Sequence, residues 1–187
     1  MPAKRRLVIS DHHFRHDNMY RFTDSAGNRI RSWANTAEQA DEMMIDAWNE
    51  TVRPGDTVYH LGDVAIKKSG LALLERLNGR KILIRGNHDI FRLKDYTAHF
   101  ADIRGTHKQG RMIFSHYPLN PDSIPHWCVG NVHGHIHGST VMRRTWWGRR
   151  VADTRYFNAC VEAIGLAPIE IDDLEARITD RQEGNPA

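Results

Sequence analysis

Six short apolar runs punctuate the chain: "RRLVIS", "DTVYHLG", "KILIRG", "RMIFSH", "WCVGNVHG" and "YFNACVEAIG". Rich in β-branched residues and bounded by turn formers, they read as buried strands. Between the early runs the apolar period lengthens. In "NTAEQADEMMIDAWNETV" the positions Ala40, Met43, Met44, Ala47 and Trp48 share one helical face, with Asn35 or Thr36 as cap. "SGLALLERLNG" reads as a second helix, starting near Ser69 and stopped at Asn78-Gly79. Strand, helix, strand, helix, strand predicts parallel pairing through right-handed crossovers. Beyond Lys108 the strands crowd together with turns between them, which predicts an antiparallel or mixed second sheet. The tail "PIEIDDLEARITDRQEGNPA" reads as a strand, a short helix and a frayed end. Nothing looks like a repeat or linker, so residues 1–187 are expected to form a single domain.

Composition changes this picture little. Of 187 residues, 40% are hydrophobic and 26% charged, ordinary proportions for a soluble domain with a real core. The formal charge of +3 leans toward anionic ligands without marking a nucleic-acid binder. No apolar run approaches membrane-spanning length, and "MPAKRRLVIS" is too short in apolar residues for a secretory signal. Cys128 and Cys160 make no disulfide framework and lack metal-pair spacing. The expected setting is cytoplasmic.

The polar residues at the end of each apolar run change it more. The first run ends in Asp11-His12-His13, the second in Gly62-Asp63 and the third in Gly86-Asn87-His88-Asp89; later runs end in His116 and in His133-Gly134-His135-Ile136-His137. Ligands of open α/β sheets gather at the carboxyl ends of strands. Asp, Asn and His are what borderline divalent ions take. In extended segments Asp11 and His13 leave the same face, as do His135 and His137. The glycines before presumed ligands let the backbone approach an ion closely. Seven candidates (Asp11, His13, Asp63, Asn87, His116, His135, His137) exceed one tetrahedral centre and suit two ions, with Asp63 as bridge. Gly55-Asp56 precedes its strand, follows Pro54, and reads as a turn outside the site.

This order of blocks, Asp-x-His, Gly-Asp, Gly-Asn-His-Asp, His, Gly-His-x-His, resembles the calcineurin-like metallophosphoesterase superfamily, in particular its small bacterial and phage members. The resemblance implies an α/β fold: a four-layer α/β/β/α sandwich of two mixed sheets flanked by helices, with a dinuclear centre at the strand C-terminal rim. It implies Asp11, His13, Asp63 and His137 on one ion and Asp63, Asn87, His116 and His135 on the other. Manganese is the first expectation, with iron, nickel and zinc open. A bridging hydroxide would attack phosphorus in line, and His88 would protonate the leaving group, with Asp89 holding its ring or capping a helix. A phosphodiester is favoured over a monoester, since the metal motifs bring no extra fixed cations for a dianion. A phosphomonoesterase on the same site and a non-catalytic binding scaffold on the same fold are the rivals.

Two segments bear on specificity. Arg15, His16 and Asn18, with Asn87, are candidate substrate contacts. "TDSAGNR" reads as a protruding tight turn. "MRRTWWGRRVADTRYF" reads as a hairpin turning at Gly148, its arginines solvated and its tryptophans packed on the core or on a second copy of the chain. An Arg/Trp clamp for nucleic acid is open but not favoured, because no continuous basic track runs elsewhere. His133 is expected to support the ligands or lie buried. His60 reads as a satisfied core histidine, and His12 as turned away from the site.

Overall fold

The structure is a computed structural model that describes residues 3–24 and 26–183. Along the chain, β1 (Arg6–Ile9) leads through irregular chain to α1 (Ala37–Thr51), then β2 (Thr57–His60), α2 (Lys68–Leu71), β3 (Arg80–Ile84), α3 (Leu93–Thr97) and β4 (Asp102–Arg104). The second half holds β5 (Thr106–Gln109), β6 (Met112–Ser115), β7 (Gly130–His133), β8 (Met142–Arg144), β9 (Arg150–Ala152) and β10 (Tyr156–Asn158). It closes with α4 (Val161–Ile164), β11 (Ile169–Glu170) and α5 (Ile171–Glu183).

Two mixed sheets dominate. The first runs β11-β1-β2-β3-β4, all parallel except the antiparallel edge strand β11. The second runs β10-β7-β6-β5, with only β5 antiparallel. Parallel strands buried on both faces explain the unbroken apolar runs. Leu7, Ile9, Val58 and Leu83 pack with Met44 and Trp48 of α1 and Leu71 of α2. The alternate positions Val8, Tyr59, Ile82 and Ile84 meet Met112, Phe114, Val132 and Phe157 of the second sheet, with Leu174 and Ile178 of α5.

The helix expectations hold in outline. Thr36 caps α1, its side chain accepting from Gln39 N at 3.2 Å. Ala40, Met44 and Trp48 are buried, as is Ile45, while Met43 and Ala47 lie half-buried at the border of that face. The second helix is a single α turn that tightens to a 3-10 helix over Ala72–Arg76, before Gly79 turns with φ 81. In "YFNACVEAIG" only Tyr156–Asn158 is strand; the rest turns into α4. The tail helix α5 is 13 residues rather than short. The expected fraying at 184–187 lies outside the described residues. Asp56 is a structural staple, buried and bonded by Arg5 Nη2 (2.7 Å) and by the Arg53 amide (3.0 Å).

"TDSAGNR" does turn tightly, with Asp24 N donating to Asn28 O (2.8 Å), although Ser25 lies outside the described residues. The arginine-rich segment is a hairpin, β8 against β9, turning through Gly148 at φ 84. Its tryptophans correct one half of the expectation, packing on the core: Trp146 is 91% exposed and Trp147 62% in the single chain. No helix among the described residues is long and apolar enough to cross a membrane.

Candidate metal centre

The candidate blocks all lie just past strand ends: Asp11 and His13 after β1, Asp63 after β2, Asn87 to Asp89 after β3, His116 after β6, His135 and His137 after β7. Donor atoms of Asp11, His13 and His137 lie within 4.8 Å of one another, and those of Asp63, His116 and His135 form a second such group. One oxygen links the groups. Asp63 Oδ2 lies 3.5 Å from His13 Nε2 and 3.5 Å from His116 Nε2. Asn87 joins the second group through Oδ1, 2.8 Å from His116 Nε2.

Extended alternation is not how these side chains converge. Asp11 (φ 62), His13 (φ 50), Asp63 (φ 56), His135 (φ 73) and His137 (φ 48) all occupy the left-handed region. Each such residue costs about 1–3 kcal/mol and persists only where its surroundings over-determine it. Here main-chain bonds do so: Asp11 N to Gly62 O (3.0 Å), His13 N to Asp63 O (3.0 Å) and Gly134 N to His116 O (2.9 Å). A Cβ on Gly134 would collide with Ser10 Oγ and Asp11 Oδ2, so only glycine lets β7 approach the first loop.

Unpaired donor atoms test whether the centre fits metal ions. Asp11 Oδ1 and both ring nitrogens of His13 are buried without hydrogen-bond partners, a costly state for polar groups. His116 Nδ1 must donate to Leu61 O (2.8 Å), since a carbonyl only accepts. Its Nε2 therefore points into the second ligand group, 2.8 Å from Asn87 Oδ1 and 3.5 Å from Asp63 Oδ2, and when that nitrogen carries no proton it and the Asn87 oxygen face each other as lone-pair donors. A cation is what two such atoms share. The residues present fit two divalent ions.

Charge and burial compete across the centre. Burial alone would raise the Asp11 pKa, but the imidazoles of His13, His116 and His137 around it hold it well below the usual range. Burial dominates at Asp63 and raises its carboxyl. It lowers His135, helped by the charge of His116. At His137 burial is outweighed by the hydrogen bond and charge of Glu162, and the pKa rises.

Three supporting residues carry no local sequence signal. Arg31, fully buried, donates to the carbonyls of Asp11 (2.6 Å) and His12 (2.8 Å) and to Glu162 Oε1 (2.7 Å). Glu162 also faces His137 Nδ1 at 3.2 Å, so one carboxylate ties the buried cation to a candidate ligand. Cys160 Sγ donates to Asp11 Oδ2 (3.2 Å), which also takes the amide of His135 (2.9 Å).

Asp89 is corrected. Its carboxylate accepts from the amides of Asp63 (3.0 Å), Val64 (3.0 Å) and Gly86 (2.8 Å), with no bond to the His88 ring. It caps no helix either, since α3 begins at Leu93 with Arg92 as its cap. His88 itself is exposed at the centre's mouth, its amide on Asp63 Oδ1 (2.8 Å) and its ring 5.3 Å from that of His13. Arg15 turns away from the ligands. Its guanidinium lies 3.4 Å from both Asp41 and Glu38 of α1. His16 packs beside His13 at 5.6 Å, and burial, with the charge of His13, lowers its pKa to about 4. Asn18 is exposed in a 3-10 turn. His133 is buried, its Nδ1 against Gly134 O at 2.9 Å. His12 and His60 pair in the core at 2.8 Å.

Comparisons with known proteins agree with this geometry. A family model described as calcineurin-like phosphoesterase matches residues 4–167. The uncharacterized protein MJ1445 of Methanocaldococcus jannaschii is 31% identical over 181 residues, 92% of this chain and 90% of that one. The gene 66 protein of Mycobacterium phage L5 is 26% identical over 152 residues, 62% of this chain and 72% of its own. Among solved structures, the protein of unknown function AQ665 from Aquifex aeolicus superposes with a TM-score of 0.65 at 23% identity, covering 93% of this chain and 99% of its own. That likeness speaks to the fold alone.

Proposed function

The chain belongs to the calcineurin-like phosphoesterase family, metal-dependent hydrolases of phosphate esters, and within it we propose a single-domain cytoplasmic phosphodiesterase working with two divalent ions, manganese first among them. The observation that carries this is Asp63 Oδ2, equidistant at 3.5 Å from an imidazole nitrogen of each ligand group. Asp11, His13, Asp63 and His137 would hold one ion; Asp63, Asn87, His116 and His135 the other. Such a pair, when bound, polarises phosphoryl oxygens and readies a water for in-line attack.

The chain's own residues supply the rest. His88 stands at the mouth where a leaving oxygen departs and serves as general acid. His16 lines the same mouth as an uncharged group near neutral pH. Arg15 is engaged by Glu38 and Asp41, and Arg31 is buried against carbonyls and Glu162. Neither is free for the second negative charge of a monoester, which favours diesters.

The test is elemental analysis of the purified chain together with hydrolysis of bis(p-nitrophenyl) phosphate in added manganese. Two metals per chain and turnover are expected. Asp63→Asn should stay folded while losing metal and activity, by about a thousandfold or roughly 4 kcal/mol of transition-state stabilisation. Full activity in that variant removes the bridge. His88→Ala should keep the metals and slow esters with poor leaving groups most; equal slowing of good and poor leaving groups would count against a general acid.

A further inference from the structure

The β8–β9 ribbon stands apart from both main sheets. Every residue from 142 to 150 except Thr145 is exposed, including Trp146 and Trp147, whose rings meet edge to face at 5.1 Å. Two large aromatic side chains in water are surface that binding can recover. The ribbon also carries Arg143, Arg144, Arg149 and Arg150, more positive charge than the whole chain's formal surplus of +3. Among the described residues no carboxylate reaches ion-pair distance of these four, whereas Arg155 at the ribbon's foot is paired with Asp153 at 2.6 Å. Arg144 and Arg150 sit directly opposite each other, a like-charge cross-strand pair that weakens a ribbon unless an anion lies between.

The ribbon is rooted at the metal centre. Its first strand begins five residues after His137, and Asp153 N closes the root on Val141 O at 2.9 Å. Asn158, the last residue of β10, donates to the carbonyls of His137 and Ser139. Beside that root lies a cavity of about 650 Å³ whose lining includes His135, His137, Ser139, Arg29 and Ile30, with Asp24 as its one carboxylate. That volume suits a nucleotide-sized group.

We propose that the ribbon is a docking arm for single-stranded nucleic acid, which lays a phosphodiester of the bound strand over the metal ligands. This deepens the phosphoesterase reading and rests on it. Exposed indoles stack on any unpaired base, and guanidinium groups pair with the phosphates between bases. A duplex buries its base faces in its own stack and offers the indoles nothing comparable. Trp and Arg together also suit an anionic bilayer surface, so the test includes one.

The full chain, kept in chelator to prevent turnover, is titrated into a fluorescein-labelled oligothymidylate about 20 nucleotides long, enough for one site. Expected are a rise in anisotropy and quenching of tryptophan fluorescence. The Trp146→Ala/Trp147→Ala double variant should bind roughly tenfold or more weakly. Arg149→Glu/Arg150→Glu should flatten the slope of log affinity against log salt by about 1.4, two phosphate contacts' worth on a single strand. Both changes lie outside the cores, so unchanged far-UV dichroism and melting are the control; either variant alone suffices should the other misfold. The proposal is overturned if the wild type fails to bind the oligonucleotide, if both variants bind it equally well, or if phosphatidylserine vesicles bind while the oligonucleotide does not. Wild-type hydrolysis of the aryl diester is read separately. Inert protein that binds the oligonucleotide overturns the phosphodiesterase reading; active protein that ignores it overturns only the docking arm.

Discussion

The two halves of the candidate metal centre are braced by opposite charges. Behind Asp11 and His13 stands a buried cation, Arg31, feeding donors to the main-chain carbonyls of Asp11 and His12. Behind Asp63 and Asn87 stands a buried anion, Asp89, collecting the main-chain amides of Asp63, Val64 and Gly86. Left-handed loops leave carbonyls and amides that no ladder satisfies, and each half meets the surplus it has. The halves differ in how the clamp's own charge is neutralised. Arg31 needs Glu162, which continues to His137; Asp89 is satisfied by amides alone. The first half is therefore a chain of side chains and the second a closed knot of backbone.

The largest break expected of this contrast is Arg31→Met. Methionine fills similar space but strands two buried carbonyls and leaves the buried Glu162 carboxylate with His137 as its one remaining partner, a loss of about 3–5 kcal/mol. For a chain of this size that is a melting temperature lower by on the order of 10 °C. The melt should be run in chelator, so that ion binding does not mask the loss. A drop below about 1 kcal/mol would mean that the cation is not what holds the first loop.

How much of this could be read from sequence divides along the same line. The candidate ligands were legible as a set because each sits in a short block at the end of an apolar run, where local pattern and chemistry coincide. Their backbone was not. Alternation along an extended segment and left-handed turns both bring the side chains of Asp11 and His13 together, and only the three-dimensional bonds to Gly62 and Asp63 separate the two. Arg31 lies in a stretch without periodicity, and Glu162 in a run that reads as strand; they meet across 131 residues of chain. Asp89 was visible as a residue but not in its role, since a carboxylate beside a histidine looks like a ring holder until its amide partners are known. Trp146 and Trp147 read as packed on the core or on a second copy, and nothing local says that their ribbon leaves the sheets.

Asp89→Asn probes the second half and should cost less. Hydrogen bonds to a charged acceptor are worth about 1.5–3 kcal/mol each, and the amide oxygen retains part of the set, leaving a net loss of roughly 2–3 kcal/mol. The loss should be local. Amide hydrogen exchange should quicken at Asp63, Val64 and Gly86 and stay unchanged at Asp11 and His13. Equal quickening in both loops would dissolve the distinction between two separately braced halves.

The mildest change, Glu162→Gln, cuts the first half's chain without removing an atom-sized volume. Burial would raise the Glu162 pKa, but Arg31 and His137 hold it below the usual glutamate value, so the side chain is anionic at neutral pH and glutamine deletes one charge. Its amide oxygen still accepts from Arg31 Nε, which spares the fold much of what Arg31→Met costs. What weakens is the carboxylate's hold on His137 Nδ1, the bond that orients the ring and enriches its other nitrogen. Removing such a partner costs metal affinity about 10–100-fold, or roughly 1.4–2.8 kcal/mol. Because Glu162 touches only the first half, one of the two manganese equivalents in a calorimetric titration should weaken and the other should not. Two equivalents weakening together would mean that Asp63 couples the ions so tightly that neither half acts alone, and the chain and the knot would be one brace after all.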